Sequence, residues 1–382
     1  MAGIYLHIPF CKQACYYCDF HFSTSLKRKS EMIHAIADEL ILRKNELTET
    51  IETIYFGGGT PSLLTIDEIQ FLIDTIQQNF MVIDTPEITL EANPDDLSEE
   101  KILELAESPI NRLSIGIQSF FEGDLKSMNR AHTASESTNC LSVASRHFDN
   151  ITVDLIYGIP NMNANKWREN LNKAFNFGIN HISSYALTVE PKTALDSFIK
   201  NGKYPPLDEQ LAAQHFDILV EETAKQGFVH YEISNFGKSD YFSKHNTSYW
   251  KGKSYLGVGP SAHSFKGNER SWNVSNNVKY VKSIQDKILP REVEELSLND
   301  QFNETIMTGL RTIWGVSLTQ IAQEFGEKCK MDLVTSAEKY IKQNLLIIEN
   351  CHSEQSEESI LKTTNKGKFL VDGIASELFM ID

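Results

Sequence analysis

No run of eighteen or more apolar residues occurs in this 382-residue chain, so no transmembrane helix is expected. The N-terminus lacks the basic region and apolar stretch of an export signal and enters a strand almost at once. Positive charge is in deficit: 36 Lys and Arg stand against 52 Asp and Glu, a net charge of −16. A uniformly basic nucleic-acid surface is therefore not expected, and an anionic membrane repels the average surface. Cysteine is scarce. Six residues in a chain of this length do not make a disulfide scaffold. Thiols that are clustered and carry no export signal point to a reducing cytosol and a metal, so a cytoplasmic location is expected. Hydrophobic residues make up 41% of the chain, enough to bury the core of one large domain with a smaller partner.

Three of the six cysteines fall within eight residues, Cys11, Cys15 and Cys18 in HIPFCKQACYYCDF. A Cys-x3-Cys-x2-Cys triplet is one thiolate short of a closed iron–sulfur or zinc site. Metal sites that do chemistry keep a coordination position free. Zinc completed by His7 or His21 remains the alternative. The other cysteines, Cys140, Cys329 and Cys351, are isolated.

The triplet follows a β-rich alternating run, Gly3–Ile8, that Pro9 ends. Further strands are predicted at Thr53–Phe56, Glu87–Glu91, Arg112–Ile117, Ile151–Tyr157 and His181–Leu187. Helices are predicted at Lys27–Leu47, Thr65–Asn79, Ser98–Glu107, Thr133–Arg146 and Asn165–Phe177. This alternation argues for six parallel βα units curling into an open barrel, whose sites gather at the C-terminal strand ends.

An unusual residue ends nearly every predicted strand. Gly57, Gly58, Gly59 and Thr60 follow the second, as a tight turn or as a backbone that a ligand approaches closely. Glu91 ends the third and Gln118 the fourth; a lysine-paired carboxylate and a capping amide are the plain alternatives. Asp154 interrupts the apolar fifth strand, where a carboxylate is costly without partners. Tyr185 and Ala186 end the sixth.

After Leu187 the pattern changes. Residues 237–295 read as a connecting region with two polar, aromatic-rich loops, HNTSYW and YLGVGPSAHSF. From 296 to 382 three helices and a hairpin suggest a winged-helix-like module, with His352–Ser359 as an exposed hairpin tip.

The runs YLHIPFCKQACYYCDF, FGGGTPS, EANP, LSIGIQSF, DLIYGIP, HNTSYW and YLGVGPSAHSF resemble the radical S-adenosylmethionine (SAM) superfamily. Within it they resemble the oxygen-independent coproporphyrinogen III oxidase family, and there the haem-chaperone subgroup. The resemblance covers nearly the whole chain and implies an α/β fold: a partial (βα)6 TIM-like barrel over 1–236 and a C-terminal helical, winged-helix-like domain. It implies that Cys11, Cys15 and Cys18 hold a [4Fe-4S] cluster whose fourth iron takes SAM. Tyr17 stands at the motif's usual aromatic position. Tyr5, Gly58, Gly59, Thr60, Glu91, Gln118, Arg130, Asp154 and Ala186 match SAM-lining positions. His245 matches the motif implicated in haem binding. A packed, hydrogen-bonded histidine is the alternative there, and His263 is a second candidate.

The oxidases carry a further cysteine two residues after the third ligand, where this chain has Phe20, and an N-terminal extension, where it begins four residues before Tyr5. Both departures count against coproporphyrinogen III oxidation. The resemblance therefore implies a haem chaperone with haem as cargo and recipient haemoproteins as partners, with transient membrane association allowed. A radical SAM tetrapyrrole enzyme and a radical SAM RNA-modifying enzyme are the competing readings. The acidic charge disfavours the last, since phosphate binding needs Lys and Arg.

Overall fold

The computed structural model describes residues 1–353 and 356–381. Six strands run parallel in sequence order: β1 (Ala2–Ile8), β2 (Ile51–Gly58), β3 (Val82–Ala92), β4 (Arg112–Gln118), β5 (Ile151–Tyr157) and β6 (His181–Ala186). One side of the strands is mostly apolar and fully buried, as with Ile4 and Leu6, Ile54 and Phe56, Leu113 and Ile115, and Val153 and Leu155. These residues meet the covering helices, whose starts are marked by Thr65, Ser98, Thr133 and Asn163, each accepting a backbone N–H. The opposite side is polar. Tyr55, Glu91, Arg112, Ser114, Asp154, His181 and Ser183 all face one cavity, so the sheet curls around an interior that is not a hydrocarbon core.

The first helix covers Lys29–Leu42 and stops short of the predicted Leu47. Arg43 is the reason. Its buried guanidinium turns to Glu39, Glu46, the Gly257 carbonyl and Ser264, and the chain folds back there.

The 237–295 stretch is not a connector. After β7 (Val229–Glu232) and β8 (Asn235–Gly237), which run antiparallel beside β6, β9 (Tyr255–Val258) returns to pair parallel with β1. The strands β10 (His263–Lys266), β11 (Glu269–Asn273) and β12 (Arg291–Glu295) extend that edge antiparallel, giving one twelve-stranded sheet. GVGPSAH is the turn between β9 and β10. A Cβ on Gly257 would fall 1.9 Å from the His263 carbonyl oxygen, and Gly259 (φ +100°) lies against the His7 backbone. Sheet closure therefore accounts for the glycines of this run. Exposed His263 sits beside Trp272 on β10.

The C-terminal part has its own core, built from Phe302, Ile306, Leu310, Ile321, Leu333 and Leu361. Helices Leu298–Leu310, Leu318–Phe325 and Glu327–Lys342 pack with a three-stranded sheet of β13 (Val316–Ser317), which falls between the first two helices, and the later β14 (Leu346–Ser353) and β15 (Ser356–Thr363). The hairpin is longer than predicted. Residues expected at an exposed tip extend its strands; residues 354 and 355 lie outside the described residues. Among the described residues no helix is long and apolar enough to cross a membrane.

Candidate functional site

The loop after β1 is tied at its base: the Cys11 amide donates to the Ser23 carbonyl, and the Ser23 amide donates to that of Pro9. Its crown is braced by the segment after β4. Asn129 donates to the Ala14 carbonyl at 2.7 Å, and the Tyr16 amide donates to that of Met128. Cys11, Cys15 and Cys18 then all line one cavity of about 680 Å³. Burial raises the Cys11 thiol and pushes Cys18 up to about 11, so both are neutral thiols here. Among the described residues no three His, Cys, Asp or Glu side chains converge on a single ion.

Arg130, in the loop after β4, reaches the Cys15 Sγ at 3.4 Å and the Tyr17 hydroxyl at 3.3 Å with one amino group. The other donates to Asn93 Oδ1 at 2.6 Å and to the Gly116 carbonyl at 3.0 Å. Asn93 in turn donates to Thr60 at 3.3 Å. Arg130 and Thr60 thus belong to one network at the cavity mouth. Gln118 ends β4 with φ +61° and buried. A Cβ at Gly116 would meet the Gln118 amide nitrogen at 2.9 Å and Arg130 at 3.1 Å, so the missing side chain is what lets both reach the cavity. Ala186 lines the same wall at the end of β6.

Deeper in, the Tyr55 hydroxyl donates to Glu91 at 2.8 Å and the Gly58 amide donates to its other oxygen at 3.2 Å. Burial still raises the Glu91 carboxyl. Asp154 accepts from Ser114 at 3.3 Å, and burial with the nearby Glu91 charge lifts it to about 7. Tyr5 is not on the cavity wall; its ring stacks behind Tyr55 at 6.0 Å.

The glycines after β2 answer to the chain's own packing. A Cβ on Gly58, at φ +104°, would meet the His7 ring at 2.5 Å, and one on Gly59 would meet the carbonyls of Ile8 and Phe10. The Gly59 and Thr60 amides donate to those same two carbonyls. Close packing against the end of the neighbouring strand β1 requires these glycines, and both also line the cavity.

HNTSYW is not a loop. Ser243 caps a short helix, Lys244–Trp250, whose first amides donate to Glu87. The helix abuts the starts of β1 and β2: the His245 ring lies beneath Gly3, and Nδ1 bonds Thr53 at 2.7 Å. It therefore plugs the end of the barrel opposite the cysteines, and Asn246 lines the cavity from below. His245 is 1% exposed, its Nε2 meets the Tyr249 hydroxyl at 2.6 Å, and its ring stacks on Tyr55 at 4.9 Å. Burial drives its pKa down to about 3, so the imidazole is neutral, but both nitrogens are occupied. Tyr249 and Trp250 are occupied too: Tyr249 packs edge-on to Tyr255, and Trp250 lies under the Arg311 guanidinium at 5.2 Å.

Sequence reading missed Tyr55, Asn93, Arg112, Ser114, Thr152 and His181, which the structure adds to the wall. For Arg112, Ser114 and Thr152 a signal was available: in R-L-S-I-G-I-Q every second residue is polar or small, and T-V-D repeats that alternation at the start of the next strand, within strands buried on both faces.

The Radical SAM superfamily matches residues 5–174, and the HemN C-terminal domain matches residues 296–369. The heme chaperone HemW of Bacillus subtilis is 33% identical over 97% of both chains. The protein of the same name from Lactococcus lactis is 32% identical over 97% of both. Among solved structures, coproporphyrinogen III oxidase (HemN) from Escherichia coli superposes with a TM-score of 0.83 at 20% identity, covering 99% of this chain and 90% of that one. That likeness speaks for the fold alone.

Proposed function

The chain belongs to the HemW family of radical SAM proteins, and from that premise we propose that it is a haem chaperone that holds a [4Fe-4S] cluster and SAM and passes haem to recipient haemoproteins. The observation that carries the reading is the extent of the similarity, which takes in the cysteine loop, the plug helix and the C-terminal module together.

The donor set suits the cofactors. Three thiols on one loop line a single cavity, the donor set of a cluster that takes one thiolate per iron and leaves one iron open. Cys11, Cys15 and Cys18 would hold it; binding deprotonates them against the burial that now keeps Cys11 and Cys18 neutral. SAM would lie between Thr60, Glu91, Gln118, Arg130, Asp154 and Ala186, all on the cavity wall. Gly58 and Gly59 would shape that wall, and Tyr5 would back it. Bound there, cluster and SAM supply one-electron reductive chemistry. The chain's own residues do the rest. Arg130 holds the Cys15 side of the loop, Glu91 offers a buried carboxylate to a cationic group, and the plug closes the far end to water.

Haem would be held through His245, whose neutral imidazole is the form that ligates iron. Ligation requires the ring to leave Thr53 or Tyr249, so loading involves the plug helix. Phe20, exposed at the cavity mouth where the oxidases carry cysteine, supports cargo handling over porphyrinogen oxidation. Clustered reduced thiols favour the cytoplasm as the working compartment.

The test is anaerobic reconstitution followed by two assays on one sample. About four irons and four sulfides per chain, a Soret band on haem titration and no conversion of coproporphyrinogen III are expected. Cys11→Ala, Cys15→Ala or Cys18→Ala should abolish the brown chromophore, and Cys140→Ala or Cys329→Ala should not. Turnover of coproporphyrinogen without haem uptake would reverse the assignment.

A further inference from the structure

Arg112 opens β4 at the closed end of the barrel and is 1% exposed. No carboxylate lies within ion-pair distance: among the described residues its side chain hydrogen-bonds to Thr152 Oγ1, and its Nε is buried with no partner. The guanidinium lines the cavity. Thr89, its neighbour in register on β3, also has a buried hydroxyl with no partner. The two acids higher in the barrel feel the Arg112 charge without touching it: Glu91 accepts from Tyr55 and Gly58, Asp154 from Ser114. A buried guanidinium nitrogen left without an acceptor, beside a hydroxyl in the same state, carries a desolvation penalty that a ligand with acceptor oxygens relieves.

We infer that the closed end of the barrel is a binding site for a carboxylate group, with Arg112 as its anchoring cation, and that the carboxylate is a side arm of the tetrapyrrole cargo. The planar fork of an arginine matches a carboxylate in two parallel hydrogen bonds. One cation in a cavity that also holds Glu91 and Asp154 suits a single negative charge better than a phosphate. The tetrapyrrole source rests on the haem-chaperone reading. His245 belongs to the same end of the barrel, close enough for the Arg112 charge to depress its protonation. A ligand with a metal at its centre and flexible carboxylate arms can engage both residues once the plug helix shifts.

The full chain, reconstituted anaerobically, is titrated with haem and with haem dimethyl ester, whose arms carry no charge. Wild type should bind haem more tightly than the ester. Arg112→Met should lose at least about tenfold in haem affinity, the loss expected for one charge-assisted pair, and bind the ester as wild type does. Arg112→Lys, which keeps the charge without the fork, should recover part of the loss. Circular dichroism checks that both variants fold. Equal haem affinity in wild type and a folded Met variant overturns the proposal; should Met not fold, equal affinity in Lys does the same. If wild type binds no haem, the chaperone reading fails, and succinate then judges the subsite alone. Thermal stabilisation by succinate in wild type but not in the folded Arg112 variant would retain a carboxylate site for a different ligand. Its absence would remove the site as well.

Discussion

Asp154 occupies the middle of β5 with a serine hydroxyl as its hydrogen-bond partner and an acid rather than a base as its principal charged neighbour. Its carboxyl titrates near 7 in the folded chain against 3.8 when unperturbed. Between those values the folded state holds a proton that the unfolded state has released. The stabilisation is therefore full below about pH 4 and is lost as pH rises toward 7. Asp154→Asn removes the titration. Chemical denaturation of protein free of SAM should show the variant gaining on wild type from pH 5 to pH 8; parallel stability curves would mean that Asp154 titrates normally. Gly58 makes the opposite kind of case. Its glycine run reads plausibly as a ligand turn, yet its φ of +104° and the His7 ring at 2.5 Å from a would-be Cβ are properties of two neighbouring strand ends packed together. No single-residue signal carries that information. Gly58→Ala should lower the unfolding free energy by roughly 1–3 kcal/mol from backbone strain alone, with the clash adding to it. Urea unfolding within error of wild type would refute this.

The six parallel strands were legible because each pairs a local alternation with a boundary residue, as Pro9 does after β1 and the glycines do after β2. β9 was not legible. It is four residues long, and its partner β1 lies some 250 positions earlier, so only the completed sheet identifies it as a strand. The plug helix was missed for a related reason. KHNTSYW has no apolar period, and its one local cue was Ser243 three residues before Asn246, whose amide the serine caps. The helix is held mainly by side chains from elsewhere: Thr53 on His245, and Glu87 on the first amides. Thr53→Val keeps the shape and deletes one of these contacts. It should lower stability by about 1 kcal/mol. If haem ligation requires His245 to leave this setting, the variant should also take up haem faster in stopped-flow traces at the Soret band. An unchanged uptake rate would separate haem loading from plug movement.

At the scale of the molecule the two cores are separate, and few side chains join them. Arg311 joins three parts at once. It donates to buried Glu232 on β7 at 3.0 Å, meets Asp372 of the C-terminal module at 2.5 Å, and covers Trp250 at the end of the plug helix. Backbone bonds from Ile233 to Arg311 and from Ile313 to Tyr231 run alongside, and Lys251 lies over Trp314 at 4.3 Å. The C-terminal module therefore bears on the helix that carries His245, which gives a partner docked on that module a physical route to the haem residue. Arg311→Gln keeps most of the volume and removes the charge. Glu232, 1% exposed, keeps Asn235 and the Ser234 amide but loses its cation. The loss should be roughly 2–3 kcal/mol, below the range for a fully buried pair because Arg311 retains some solvent contact. It should fall on the junction rather than on either core. Calorimetry is then expected to resolve two unfolding transitions where wild type shows one, while iron and sulfide content stay at the wild-type level because the cysteine loop lies at the other end of the barrel. One transition at the wild-type temperature would show that the modules are held together by something other than this arginine.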